Sequence, residues 1–325
     1  MARKRYLVLI GLVVLAFIFT QFNMEQVIQI MLSANPGYLV LAIALVFFST
    51  LTKTIKWQQA LGETKVFLTL GQAFRLYLIG FFLSIVTPGR VGDFARAWYI
   101  KKKARLTVGL ASVFFDRLFD VGSLIVTGIA GILLFGFFFH GKILPIEIVL
   151  GVLVLFGLGI TAFFFLHRIF RFLKPLVLVL VPDSYRSDFS KNAREFYDTT
   201  KKLLKTRMLL AKATVLSIAY ILLAIATAYL LAQSIGLELP WLFLVALVPS
   251  MALADLLPIS ILGLGSREVI VIYAFSLLAL PAEMALSFSF LMLTIGYLVL
   301  ALVGFVFFIL EPLKMPRVMG KNKEA

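Results

Sequence analysis

The chain has 325 residues, 62% of them apolar, a mean hydropathy of +1.03 and a formal net charge of +15. A soluble domain is nearer half apolar, so the composition defines an integral membrane protein. In that setting the positive charge reads as Lys and Arg gathered on cytoplasmic loops, not as a nucleic-acid footprint. Cysteine is absent, which excludes disulfides, thiol nucleophiles and thiolate metal sites.

The start, MARKRYLVLIGLVVLAFIFTQFN, has a charged leader but no small-residue cleavage site after Thr20. It reads as a retained first transmembrane helix over 6–20, not as a signal peptide. Further full spans are expected at 37–55, 108–138, 146–166, 211–235 and 284–311. Two more apolar stretches, 66–87 and 241–262, each run into a Pro/Gly break and then a second helical run. If 66–87 crossed completely, the polar segment GRVGDFARAWYI would have to cross back alone, or Lys101, Lys102 and Lys103 would lie outside. A re-entrant hairpin avoids both. The first enters from the cytoplasm near 66, turns near Pro88 and Gly89, and returns by Lys101. The second enters from outside near 241, turns through PISILGLGS, and returns near Pro281.

This threading puts 27 of the 31 cations on the cytoplasmic side, Lys53, Lys56 and Arg96 among them. Only Lys142 falls outside, and Arg90, Arg117 and Arg267 lie at membrane depth. Both termini are then cytoplasmic. The expected architecture is an all-α polytopic bundle of about six spans and two hairpins, folded as a single transmembrane domain over 1–325. Residues 1–140 form one inverted-topology repeat and 141–311 the other, as in many secondary transporters.

The hairpin tips echo each other. The first reads Pro88, Gly89, Arg90, Val91, Gly92, Asp93; the second carries Pro258, Gly263, Gly265, Ser266, Arg267, Glu268. Backbone breaks at membrane depth are tolerated only where they line a cavity or pack in protein. Helices starting near Val91 and Ser266 would aim their positive ends at the bilayer centre. With Arg90 and Arg267 beside them, they describe two anion sites. The competing reading is two static plugs, each arginine neutralised by its own acid, Asp93 or Glu268. An intramembrane charge is costly, which favours function for the arginines.

Asp116, Arg117 and Asp120 lie near the start of a span; Asp116 and Asp120 share a helix face. They form either part of the site or an interfacial girdle. Asp255, just before the second tip, reads as a proton-coupling group or a partner for Arg267, or as a buried hydrogen-bonding group. In the cytoplasmic segment 167–210, Phe189, Ala193, Phe196, Thr200 and Leu203 fall at helical spacing. This amphipathic helix either lies on anionic lipid of the inner leaflet or packs on cytoplasmic loops.

Several catalytic readings fail. No span carries a central His to serve as base for a serine nucleophile. Gly263 to Ser266 is not a dinucleotide fingerprint, Arg90 to Asp93 is not a G-x-G-D pattern, and no acid/His cluster has metal spacing. No catalytic residue, metal or cofactor is assigned.

At TPGRVGDFARAWYI (87–100), FFDRLFDVGSL (114–124) and LPISILGLGSREVI (257–270) the chain resembles the transmembrane region of lysylphosphatidylglycerol synthases, a flippase-like membrane family. The resemblance covers about 40–311. It implies importance for Arg90, Asp93, Arg96, Arg117, Asp120, Arg267 and Glu268, and a substrate that is a membrane phospholipid or lipid-linked sugar. After Glu311 only a short basic tail follows, so the soluble transferase domain of the synthase members is not expected. The resulting expectation is a lipid translocase. The alternatives are a membrane transferase acting on a polyprenyl-linked substrate and a non-transporting partner of a separate synthase.

Overall fold

A computed structural model describes residues 13–138, 183–255 and 263–312. Within them every regular element is helical. The expected span at 146–166, most of the tip around Pro258, and Lys142 lie outside the described residues.

The chain opens with α1 (Val13–Gln21) and α2 (Met24–Leu32), which meet at 88°. The bend falls where Asn23 takes the cap of α2, its side chain accepting from the Gln26 amide. The described part of the span expected at 6–20, residues 13–20, is one helix, and the bend falls just beyond it. The Asn35 side chain accepts from the Gly37 amide and Pro36 starts α3 (Pro36–Glu63). That helix runs eight residues beyond the expected 37–55. A capping box of Thr69 and Gln72 starts α4 (Leu70–Ile85). A 3₁₀ segment (Pro88–Phe94) and a short α5 (Ala95–Tyr99) follow, then α6 (Leu106–Phe138). Beyond the gap come α7 (Asp183–Lys205), α8 (Arg207–Ser234), α9 (Trp241–Ala254), α10 (Ser266–Leu277) and α11 (Ala282–Leu293). A π-helical segment (Thr294–Leu298) leads into α12 (Val299–Leu310).

Four helical stretches are long and apolar enough to cross a bilayer: Pro36–Glu63, Leu106–Leu134, Arg207–Ser234 and Ala282–Leu310. The bent α1–α2 pair makes a fifth if it counts as one span. Large apolar side chains project outward from them, among them Phe48, Val126, Val215, Leu302 and Ile309. Water does not tolerate so broad an apolar surface, whereas lipid does. The protein is a multi-pass membrane protein.

Two apolar helices, α4 and α9, are too short to count with these four. At 1.5 Å per residue, α4 spans about 24 Å and α9 about 21 Å. Each turns back on itself. Lys103 Nζ, past the return of the first hairpin, lies 3.5 Å from the Phe67 carbonyl and from Gln72, beside the start of α4. In the second, the Phe243 and Phe275 rings, near its two outer ends, sit 5.9 Å apart.

The packing is reciprocal. α3 lies along α8. α4 of the first hairpin lies on α12, and α9 of the second lies on α6. One glycine opens each hairpin contact. A Cβ at Gly304 of α12 would run into the Leu78 carbonyl of α4, and a Cβ at Gly131 of α6 would stand 2.6 Å from the Val245 carbonyl of α9. Helices in lipid associate through such close backbone approach.

The described part of the 167–210 segment, α7, packs on the protein. Thr200 and Leu203 are buried, and the Phe196 ring meets Phe114 at 5.6 Å. Glu195 accepts from Arg105 at 3.0 Å and from Thr107 at 2.6 Å, and Lys202 donates to the Glu63 carbonyl at 2.9 Å. Lys191, Arg194, Lys201, Lys202 and Lys205 face outward.

Candidate functional site

The two hairpin tips meet at Asp255, the residue that ends α9. Arg90 reaches it from the first hairpin, its Nη2 3.3 Å from Asp255 Oδ2. Tyr297 donates to the same oxygen at 2.7 Å. Arg267, in the first turn of α10, holds Nε 3.8 Å from Asp255 Oδ1. The Tyr297 ring is shared by both arginines, with guanidinium carbons 5.0 Å (Arg90) and 5.4 Å (Arg267) from its centroid. The π segment carries Tyr297. Such single-turn bulges recur where a helix must re-aim a side chain at a functional site.

Local backbone explains the meeting. Arg90 has φ +57°, a left-handed conformation that disfavours side chains and recurs at functional sites. Just behind it, the Gly92 amide donates to Thr87 Oγ1 at 2.7 Å, and a Cβ on Gly92 would collide with the Leu83 carbonyl. On the other side Gly263 has φ +75°, and a Cβ there would overlap Asp255 Oδ1. Gly263 is thus required twice, by its backbone and by the carboxylate it faces.

Three expectations for the tips need correction. The first tip is a 3₁₀ segment starting at Pro88 and Gly89, not an α-helix opening near Val91, so the positive end of an α-helix is not aimed from it. Asp93 does not neutralise Arg90, which goes to Asp255 on the other hairpin. At the second tip α10 does start at Ser266, but its end is already occupied: Glu268 Oε2 accepts the Gly265 amide at 2.6 Å, and Oε1 accepts from Ser289 at 2.9 Å. Arg267 lies 3.5 Å from Glu268 as well as beside Asp255. Two independent plugs are therefore not what forms; the arginines share one acid across the hairpins.

Asp93 instead belongs to a buried chain of charges that alternates in sign. Lys53 Nζ is 3.1 Å from Asp120, and Asp120 also holds Lys56. Lys56 Nζ is 3.2 Å from Asp116, and Arg96 donates to Asp116 at 3.0 Å and to Asp93 at 2.8 Å. Arg117 closes the chain on Asp93. Lys56, Asp93, Arg96, Asp116 and Asp120 are all buried, so Asp116 and Asp120 are not an interfacial girdle. Arg96 is further held between the rings of Trp57 and Tyr77, 4.8 Å and 4.4 Å from their centroids. Lys56 also donates to Ser217 at 3.2 Å on α8. The chain ties α3, α6, α8 and the return arm of the first hairpin together.

Lys53, Lys56 and Arg96 must therefore be removed from the cytoplasmic cations counted by sequence. α3 continues past the expected end of its span, and both lysines turn into the protein. Their signal was visible as two lysines three apart in TLTKTIKW, a spacing that puts both on one face. Tyr297 and Tyr220 had no such signal.

Between these groups lies a partly open cavity. Lys53, Arg90, Asp255 and Arg267 are its charged lining, and Tyr77, Phe81, Tyr220 and Tyr297 its aromatic lining. α3, α6 and α8 complete it with apolar and hydroxyl side chains. An apolar cleft with a few converging polar groups is the usual form of a small-molecule site. Among the described residues no cluster of acids and histidines is placed to hold a metal ion.

A multi-pass helical membrane protein with a charged cavity at the meeting of two helical hairpins is what fold and site define. The chain belongs to the lysylphosphatidylglycerol synthase TM region family, whose model matches residues 6–304. It is similar to UPF0104 membrane proteins of three archaea. It is 25% identical to that of Pyrococcus horikoshii over 90% of this chain and 91% of the relative. The identity is 22% to that of Methanocaldococcus jannaschii, over 98% of each, and 24% to that of Methanothermobacter thermautotrophicus, over 83% and 84%. No solved structure matches it.

Proposed function

We propose that the protein moves an anionic or zwitterionic lipid head group between leaflets, without covalent chemistry, through the cavity between the two hairpins. The observation that carries this is the sharing of Asp255 by Arg90 and Arg267, two guanidinium groups from opposite hairpins on the wall of one cavity. A guanidinium held by a carboxylate is ready to exchange that partner for a phosphate, whose oxygens present the same fork geometry. An entering phosphate would take Arg90 from Asp255. That exchange loosens the ion pair between Arg90 and Asp255 that joins the tips and lets one hairpin shift against the other.

The architecture supporting this motion is an inverted repeat of about six spans, with both hairpins re-entrant. The reciprocal packing favours it: α3 on α8, α4 on α12 and α9 on α6 are the contacts that a two-fold exchange of the halves would interconvert. Gly304 and Gly131 are placed at corresponding contacts. Rocking of one repeat on the other is the usual route to alternating access around a midplane site. The membrane is the prokaryotic cell membrane and both termini are cytoplasmic. The exposed cationic face of α7 then meets anionic lipids of the inner leaflet.

The test is a leaflet-accessibility assay in liposomes with labelled phospholipids and polyprenyl phosphate. Wild type should exchange lipid, and Arg90→Gln and Asp255→Asn should lose most of that rate while remaining folded. Equal rates in all three proteins would remove the site from the pathway. A lipid that emerges with altered mass would instead favour a membrane transferase. Cellular function retained by these variants but lost on truncation would favour a non-transporting partner of a separate synthase.

A further inference from the structure

The buried ion pairs fall into two sets that alternate in sign. One runs Arg90, Asp255, Arg267, Glu268 and is neutral. The other runs Lys53, Asp120, Lys56, Asp116, Arg96, Asp93, Arg117 and has a cation at each end. Six cations face five acids, so the two sets together carry one positive charge in excess. The end groups are where the excess resides, because every acid between them is shared by two cations. They are also the least enclosed: Lys53 and Arg117 side chains are 13% and 17% exposed, while the five members between them are at most 3% exposed. Of the two ends, only Lys53 lines the cavity. Its ammonium lies 3.8 Å from the centroid of the Tyr220 ring, which holds it at the cavity wall.

We infer that the cavity selects a phosphodiester carrying one net negative charge, bound by Lys53 together with Arg90 and Arg267. Resting on the lipid-site reading, this names the substrate class and adds a binding residue. An uncompensated charge in a low-dielectric interior is costly, and a single anion beside Lys53 removes the excess. A zwitterionic head group brings its own cation to the same wall and leaves the excess in place. A dianion overshoots to a negative interior. A phosphodiester spreads one charge over two oxygens, enough to engage an arginine fork and the Lys53 ammonium together. The ligand is either a lipid or its soluble head group.

The test is equilibrium binding of defined lipids to the full-length protein in detergent, read by native mass spectrometry. The probes are phosphatidylglycerol, with one net negative charge, and zwitterionic phosphatidylcholine. Wild type should favour phosphatidylglycerol by about tenfold or more. Lys53→Met removes the excess and should bring the two lipids to within about twofold, while Lys53→Arg keeps the preference. Lys53→Gln makes the same charge change should the Met variant fail to fold. Equal binding of the two lipids by wild type, or an unchanged preference in folded Lys53→Met or Lys53→Gln, overturns the inference. Displacement of phosphatidylglycerol by glycerophosphoglycerol would show that the head group alone suffices. No displacement would assign the site to the intact lipid. Selectivity without leaflet exchange would leave this inference standing and remove the translocase. Exchange without selectivity would do the reverse.

Discussion

The two hairpins look alike in sequence and satisfy their charges differently. The second keeps its acid at home: Glu268 caps its own helix through the Gly265 amide and lies beside Arg267. The first splits its charges. Asp93 and Arg96 anchor its return arm to α6, and Arg90 is left to cross to the other hairpin. A rigid base and a tip whose arginine pairs with the other hairpin make the first hairpin the better candidate for the moving part.

The sharpest way to break that division is to compare the two arginines of the first hairpin. Arg96→Met takes from Asp93 and from Asp116, both buried, one of the two cations each holds, and should cost on the order of 3 kcal/mol. Arg90→Met removes a guanidinium that is 16% exposed and has one acid partner, and should cost far less. Thermal unfolding in detergent measures both. Similar losses in the two variants would mean that tip and base are not separate.

Next in size is Gly263→Ala. The substitution meets Asp255 and also adopts φ +75°, a strain of about 1–3 kcal/mol with loss of the Arg90 contact. Gly236 is the control. It has φ +74°, but a Cβ there meets nothing within 4 Å. Gly236→Ala therefore reports the backbone cost alone. The difference between the two melting shifts, together with lipid exchange lost only in Gly263→Ala, isolates the conflict with Asp255.

How much of this was legible in sequence follows from the type of interaction. Four of the expected spans, 37–55, 108–138, 211–235 and 284–311, and the break at Pro88 were legible because hydrophobic runs and Pro/Gly punctuation are local. Arg90, Arg267 and Asp255 stood out because charge in an apolar run is conspicuous. Their pairing was not legible. Asp93 is three residues from Arg90 and Asp255 is 165 residues away, yet Arg90 takes the distant one because φ +57° turns it away from its own helix. Lys53 and Lys56 were counted with the cytoplasmic cations because the expected span 37–55 ended between them. Buried partners on α6 let the helix keep both. Tyr297 was hidden because nothing in TIGYL announces a π segment.

A smaller effect separates backbone from function at Arg90. Replacing a left-handed non-glycine by glycine relieves about 1 kcal/mol that alanine would retain. Arg90→Gly should therefore melt higher than Arg90→Ala by a few degrees, while lipid exchange falls equally in both. Exchange retained in Arg90→Gly would show that the tip conformation, and not the guanidinium, is what transport needs.

The smallest expected effect lies outside the membrane, where α7 docks on α6. The Thr107 hydroxyl, with Arg105, holds the Glu195 carboxyl below the ordinary glutamate value of 4.5. A group with a lowered folded pKa contributes stability above its unfolded value and loses that contribution as pH falls through the folded one. Docking of α7 should therefore be unchanged from neutral pH down to about 5 and weaken below 4.5. Glu195→Gln should flatten that dependence. Hydrogen exchange of the α7 amides against pH measures it, and Arg105→Ala should remove only the part that added salt also removes, since that side chain is 72% exposed and screened. An α7 whose protection is flat with pH in the wild type would mean that the Phe196–Phe114 contact and buried Leu203 hold the helix without the Glu195 contacts.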